Sequence, residues 1–205
     1  MIVLQIIDYL GTMAFAMSGA LKGVRKGLDI FGVVVLAVVT AIGGGTIRDT
    51  LLDLPVFWLS DSAYVLLAVA MAVGVFLLFR LAQKTERSVL LFDALGLGVF
   101  TAIGAMKAGA ADLGVVGMVT MGLLTGVGGG VLRDVLAGDV PIVLREEIYA
   151  SASIAGGLVF AMAAHVDIPE AVGVTVAVIV TVAIRVMSIY LGWRLPSRAA
   201  RSEEL

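Results

Sequence analysis

Seven apolar runs, each near the length of a helix that crosses a bilayer, set the first constraint on this chain. They lie at roughly 2–21, 31–52, 62–80, 89–107, 113–137, 147–165 and 170–193. About 20 apolar residues span the hydrocarbon core as a helix. Hydrocarbon offers backbone groups no partners, so a spanning segment must be a helix or part of a closed barrel. These runs are continuously apolar rather than alternating, which selects helices. The chain is 60% hydrophobic with a mean hydropathy of +1.10, against about 45–50% apolar residues in a soluble domain. Pro55, Pro141 and Pro169 fall just outside the runs, where helices stop. The expected fold is an all-α polytopic membrane protein of seven transmembrane helices. The first run is expected to stay as a helix rather than be removed as a signal peptide. It has no basic residue ahead of it, and its small residues Ala14, Ala16, Ser18 and Ala20 continue within the span.

Several functions are excluded at once. The chain has no cysteine, which rules out disulfides, thiolate metal sites and cysteine catalysis. Its one histidine, His165, sits beside an expected loop and cannot anchor a metal cluster. A net charge of −2, with no basic face carrying interleaved aromatics, gives no footprint for nucleic acid. No cofactor is expected, nor enzymatic chemistry. Basic residues set the orientation. With the N-terminus outside, inner connectors and the tail hold Lys22, Arg25, Lys26, Arg80, Lys84, Arg87, Arg145, Arg194, Arg198 and Arg201. The outer ones hold only Lys107. The expectation is therefore N-out and C-in, in a prokaryotic inner membrane and surrounded by lipid.

The chain also writes one stretch twice. Gly43-Gly44-Gly45-Thr46-Ile47-Arg48-Asp49 returns 85 residues later as Gly128-Gly129-Gly130-Val131-Leu132-Arg133-Asp134. At the same offset Asp8 matches Asp93, Gly11 matches Gly96, Phe15 matches Phe100, Gly19 matches Gly104 and Lys22 matches Lys107. Pro55 and Pro141 correspond after one inserted residue. Three spans per copy is an odd number, so the second copy enters from the opposite side. The expected organisation is a first repeat over 1–88, an inverted second repeat over 89–168, and a seventh helix with a polar tail over 169–205. Inverted repeats with interrupted helices are a transporter and channel architecture whose site lies near the midplane.

Both triplets lie inside spans, where glycine costs about 1 kcal/mol relative to alanine and an arginine roughly 2.5–3.5 kcal/mol on insertion scales. Close helix packing is one reading of a triplet, because small residues let helices approach. Three consecutive glycines point in three directions, however, and an unwound or kinked helix explains them better. Broken backbone at this depth must line a wet cavity or be buried in protein, and its freed carbonyls can replace part of a cation's hydration shell. Gly43, Gly44, Gly45, Gly128, Gly129 and Gly130 are therefore the candidate pore positions, with no metal beyond a transient monovalent cation. Arg48 and Arg133 are each followed by an acid, Asp49 or Asp134. Neighbouring positions on a helix do not face each other, so each arginine is expected to pair elsewhere, with Asp8 and Asp93 as candidates. Those two aspartates could instead be solvated helix ends. Arg185, also within a span, is expected to snorkel toward the inner interface. Trp58, Trp193, Tyr64 and Tyr190 read as interfacial anchors. The small residues of spans one and four mark tight packing, within the protomer or between subunits.

On these residues the chain resembles the TRIC family, the trimeric intracellular cation channels, and the related prokaryotic glycine-transporter domain family. The doubled Gly-Gly-Gly-x-x-Arg-Asp in spans two and five carries the likeness, which covers residues 1–195. It implies a homotrimer with one pore per protomer, lined by kinked second and fifth helices and selective for potassium and sodium. It places Arg48 and Arg133 beside the kinks. In the animal channels the fifth-helix basic residue is a lysine followed by glutamate, and Arg133-Asp134 stands here instead. The expected function is a monovalent cation channel controlled by these arginines. The alternative is a small amino-acid (glycine) transporter in which Arg48 or Arg133 holds the substrate carboxylate. An enzyme acting on lipid phosphate lacks the acids for a metal site, and a pure scaffold gives no reason for two mid-span arginines.

Overall fold

The computed structural model describes residues 2–78, 86–145 and 147–193, and every regular element among them is helical. In chain order these are α1 (Ile2–Arg25), α2 (Ile30–Leu51), the single turn α3 (Phe57–Ser60), α4 (Ala63–Leu78), α5 (Glu86–Ala110) and α6 (Val115–Leu136). A 3-10 turn (Ile142–Leu144), α7 (Glu147–His165) and α8 (Glu170–Leu191) complete the set. Helices α1, α2, α5, α6, α7 and α8 are long and apolar enough to cross a membrane. The chain is thus an all-helical integral membrane protein. The span expected over 62–80 coincides with α4, which has 16 described residues against the usual minimum of about 17. Residues 79 and 80 lie outside the described residues. So do Arg80, Lys84, Arg194, Arg198 and Arg201, on which half of the orientation argument rests.

The helix ends are built in matching pairs 85 residues apart. Gly27 and Asp112 both turn left-handed, at φ +73° and +55°. Behind them Leu28 N–H bonds Gly23 O at 3.1 Å and Leu113 N–H bonds Ala108 O at 3.0 Å. Asp53 and Gly138 repeat the device at φ +53° and +72°, with Leu54 N–H on Asp49 O at 2.8 Å and Asp139 N–H on Asp134 O at 2.9 Å. Glycine and aspartate can exchange here because both tolerate the left-handed cap that satisfies the last carbonyls. The register needs no insertion at Pro55 and Pro141. It is again 85 at Phe57 and Ile142, whose N–H groups reach Asp49 and Asp134 at 3.0 Å each.

Contacts across the centre are reciprocal in the same offset, as a two-fold relation requires. Helix α1 packs on α2 and α5 on α6, and the two pairs meet through α1–α5 and α2–α6 contacts. The rings of Phe15 and Phe100 face one another at 5.2 Å. Thr40 Oγ1 donates to Leu36 O at 2.5 Å, as Thr125 Oγ1 does to Met121 O at 2.6 Å. The small residues of α1 and α5 pack within the protomer. A Cβ at Gly19 would stand 2.6 Å from Thr40 Oγ1, and one at Gly104 would stand 2.5 Å from Thr125 Oγ1.

The expected break in the backbone is absent. Helices α2 and α6 run uninterrupted through Gly43–Gly45 and Gly128–Gly130. The triplets bring the two helices to backbone contact instead. A Cβ at Gly44 would lie 2.1 Å from Thr125 O, and one at Gly129 would lie 2.3 Å from Thr40 O. Consecutive glycines do face different ways, but each direction has its own close neighbour. Gly43 meets Leu132, Gly45 meets the Phe57 ring, and Gly130 meets Tyr149 and Asp93.

A methyl at this seam has no flexible side chain to displace. Gly44→Ala should lower stability by about 1–3 kcal/mol, as overpacking does. Gly74→Ala in α4, with open space around its Cβ, should instead stabilise by up to about 1 kcal/mol. Thermal melts in detergent check both, and equal melts for the two variants would remove the seam's special status.

Candidate functional site

At the C-terminal end of each triplet an arginine turns back into the protein. Arg48 and Arg133 are 1% and 0% exposed, among the largest fully buried side chains of the molecule. Arg48 Nε donates to Asp49 Oδ1 at 2.8 Å, and Arg133 Nε to Asp134 Oδ1 at 2.9 Å. The expectation that adjacent residues would not pair was wrong. The spacing rule concerns Cβ directions, whereas an arginine side chain is long enough to fold back on its neighbour. The other oxygen of each aspartate caps the next turn of chain, through Phe57 N–H and Ile142 N–H. Each aspartate also meets a lysine of the opposite repeat. Lys107 Nζ lies 3.1 Å from Asp49 Oδ1, and Lys22 Nζ lies 3.7 Å from Asp134 Oδ1.

Beyond this shared frame the two clusters differ. Arg133 Nη1 makes a short ion pair with Asp93 Oδ1 and donates to Ser18 Oγ at 2.6 Å. Tyr149 stands beside the same carboxylate, and Arg185 lies over the Tyr149 ring at 5.0 Å. Asp93 is thus the partner expected for Arg133. Asp8 does not play that role for Arg48. It accepts from Tyr64 Oη at 2.9 Å, and among the described residues Asp8 Oδ1 and Arg48 Nη1 have no hydrogen-bond partner, as Asp93 Oδ2 and Arg133 Nη2 have none in the second cluster. Arg48 instead lies 5.5 Å from the Phe57 ring centre. Arg185 is fully buried rather than snorkelling. It docks α8 onto the second cluster, where its guanidinium lies over the Tyr149 ring.

The second cluster opens onto a cavity of about 670 Å³, walled in part by Lys22, Arg25, Lys26, Arg87, Asp134 and Asp139. Here Asp139 holds Lys22 at 2.5 Å and Lys26 at 2.6 Å. The two ammonium groups hold its carboxyl well below the usual carboxylate range, at about 2. Neither the acid nor the second lysine recurs at the first cluster, where Leu54 and Ala111 stand at the matching positions.

The sequence reading missed Ser18, Asp139 and both tyrosines as members of these clusters. The signal for the tyrosines was present, because Tyr64 and Tyr149 are also 85 apart. Tyr64 is 7% exposed and works inside the protein, not as an interfacial anchor. Trp58 too is engaged inward, its Nε1 donating to Thr46 Oγ1 at 3.0 Å. Tyr190 and Trp193 stay exposed. Among the described residues no group of histidines and acids could hold a metal ion.

Comparison with known proteins places this geometry in a family. The model of the glycine-transporter family matches twice, over residues 5–80 and 90–165. The inner membrane protein YadS of Escherichia coli (strain K12) is 43% identical over 196 residues, spanning 94% of this chain and 95% of its own. A membrane protein of Deinococcus radiodurans is 46% identical over 163 residues, spanning 78% of this chain and 76% of its own. Among solved structures, the TRIC trimeric intracellular cation channel orthologue from Rhodobacter sphaeroides superimposes with a TM-score of 0.89 at 36% identity, covering 94% of this chain and 100% of that one. A prokaryotic TRIC channel in 0.5 M KCl gives a TM-score of 0.89 at 35% identity, covering 95% and 99%. A TRIC channel from C. elegans with bound Ca2+, at 14% identity and a TM-score of 0.61, shares the fold.

The unequal clusters predict unequal mutants. Asp93→Asn strips a buried guanidinium of one of its two carboxylate partners and should cost about 3 kcal/mol. Asp8→Asn loosens one tyrosine hydrogen bond and should cost about 1 kcal/mol. Unfolding in mixed micelles compares them, and equal losses would contradict the asymmetry. For Asp139 the sign follows from a depressed folded value. Its contribution is present above about pH 4 and fades as pH falls toward about 2. Carboxyl-labelled NMR should place the midpoint near 2 and move it up in Lys22→Met; an unmoved midpoint would refute the lysine as cause.

Proposed function

The chain belongs to the family that joins the glycine-transporter domains to the TRIC cation channels, and from that premise we propose that it is a monovalent cation channel with one path per protomer. The path follows the α2–α6 seam between the two arginine clusters. The observation that carries this is the pairing of a backbone-close glycine seam with a buried Arg–Asp–Lys cluster on each triplet-bearing helix. Similarity along nearly the whole chain to structures described as cation channels supports it. In this reading the seam is the closed waist. Conduction needs α2 and α6 to bend or part at Gly43–Gly45 and Gly128–Gly130, which is where the kinks belong. Potassium and sodium are the permeant ions.

Arg48 and Arg133 control passage. Their charge persists at any physiological pH and repels cations unless Asp49, Asp134, Asp93 and Asp8 neutralise it. The same reading makes α4 a seventh span, residues 1–88 and 89–168 inverted repeats, and 169–205 an appended helix and tail. It sets the N-terminus outside and the C-terminus inside a bacterial inner membrane, in a lipid-embedded homotrimer.

Potassium flux and glycine uptake measured on the same proteoliposomes test the proposal. Potassium flux above protein-free vesicles, without saturable glycine uptake, is the expected result. Saturable glycine uptake lost in Arg48→Ala or Arg133→Ala, with no ion flux, would replace it by the transporter reading.

A further inference from the structure

A lysine ammonium on a carboxylate is chemically a monovalent cation that cannot leave. Lys22 reaches 2.5 Å from Asp139 Oδ2 and 3.7 Å from Asp134 Oδ1, with its side chain only 18% exposed, on the wall of the 670 Å³ cavity. Lys26 takes the other oxygen of Asp139 at 2.6 Å. Asp134 in turn holds Arg133, which is tied to Asp93 and Ser18. The lysine therefore stands between the open cavity and the buried cluster. At the other end Lys107 rests on Asp49 at 3.1 Å, where Leu54 and Ala111 replace the second acid and the second lysine.

We propose that Lys22 is a tethered cation occupying, between Asp134 and Asp139, a site for a permeating monovalent cation, and that Lys107 on Asp49 is its looser counterpart at the opposite mouth. The inference rests on the channel reading and adds where each mouth is closed and by what. Two acids hold Lys22 and one holds Lys107, so the Lys22 mouth is the tighter of two constrictions in series. On the proposed orientation that mouth is cytoplasmic. Passage requires the ammonium to swing off Asp134 and Asp139 into the cavity, or to be replaced there by the entering ion. Removing the charge while keeping the stem leaves the acids vacant for the ion.

Potassium flux through proteoliposomes of the wild type, Lys22→Met, Lys107→Met and Arg145→Met provides the test, each protein first shown to elute as the wild type does. Lys22→Met should raise flux about two- to fivefold, the equivalent of freeing an ion pair of ordinary strength. Lys107→Met should raise it less, because the tighter mouth still limits. Arg145→Met removes a charge from the same cavity wall without vacating an acid. Any rise it gives should vanish at about 1 M KCl, where exposed charges are screened, whereas the Lys22→Met gain should persist. A Lys22→Met effect no larger than that of Arg145→Met, or one that vanishes at about 1 M KCl, overturns the proposal and leaves the channel standing. Silence in every protein overturns both, and a silent wild type with a conducting Lys22→Met supports the tethered cation. If Lys22→Met does not fold, Lys22→Gln takes its place under the same outcomes.

Discussion

The contact between α2 and α6 at backbone distance is what the rest of the structure depends on. Two helices with ordinary side chains at the crossing stay about 8–10 Å apart. Glycine at 44 and 129 lets each helix rest on a carbonyl of the other, Thr125 O and Thr40 O. That approach carries the ends of both helices, with Arg48 and Arg133, into the interior rather than to lipid. The same threonines receive Gly19 and Gly104 from α1 and α5, so one pair of residues organises four helices. Hydrocarbon gives no hydrophobic drive for helix association, and this closeness supplies contact area that bulkier residues could not.

Charge buried at this depth has to be compensated locally, and the repeats do so by one plan carried out to different extents. In both, an arginine folds onto the next aspartate, whose second oxygen fixes the following turn and whose first meets a lysine from the other repeat. The second cluster adds Asp93, Ser18 and the Tyr149–Arg185 stack. The first has no such second carboxylate on its arginine, Asp8 being bonded to Tyr64 instead. Polar atoms without a hydrogen-bond partner among the described residues remain in both, Asp8 Oδ1 and Arg48 Nη1 in one, Asp93 Oδ2 and Arg133 Nη2 in the other. A unit that the family model matches twice meets different surroundings in its two copies. Helix α8 brings Arg185 over Tyr149 at the second cluster.

The helices, their ends and the doubled plan were legible because bilayer length and an 85-residue offset are one-dimensional signals. Asp93 as partner of Arg133 was legible for the same reason. What misled was local geometry. A glycine run reads equally as a weak helix or as a smooth one, and only the position of Thr125 O opposite Gly44 decides. The pairing of Arg48 with Asp49 depends on side-chain reach, which spacing rules ignore. Arg185 reads as a snorkelling residue from its place in a span, yet helix rotation aims it at Tyr149. Tyr64 passed for an anchor because its neighbour Asp8 is 56 positions away.

If the seam is the closed waist, fixing it must stop conduction. The chain has no cysteine of its own, and a Cβ at position 43 would lie 3.8 Å from Leu132 Cγ. A Gly43→Cys, Leu132→Cys pair therefore puts two thiols on facing positions of α2 and α6, where oxidation can cross-link them. The account predicts that potassium flux through this double variant falls to the protein-free level on oxidation and returns on reduction. Undiminished flux through protein shown to be fully cross-linked would contradict it.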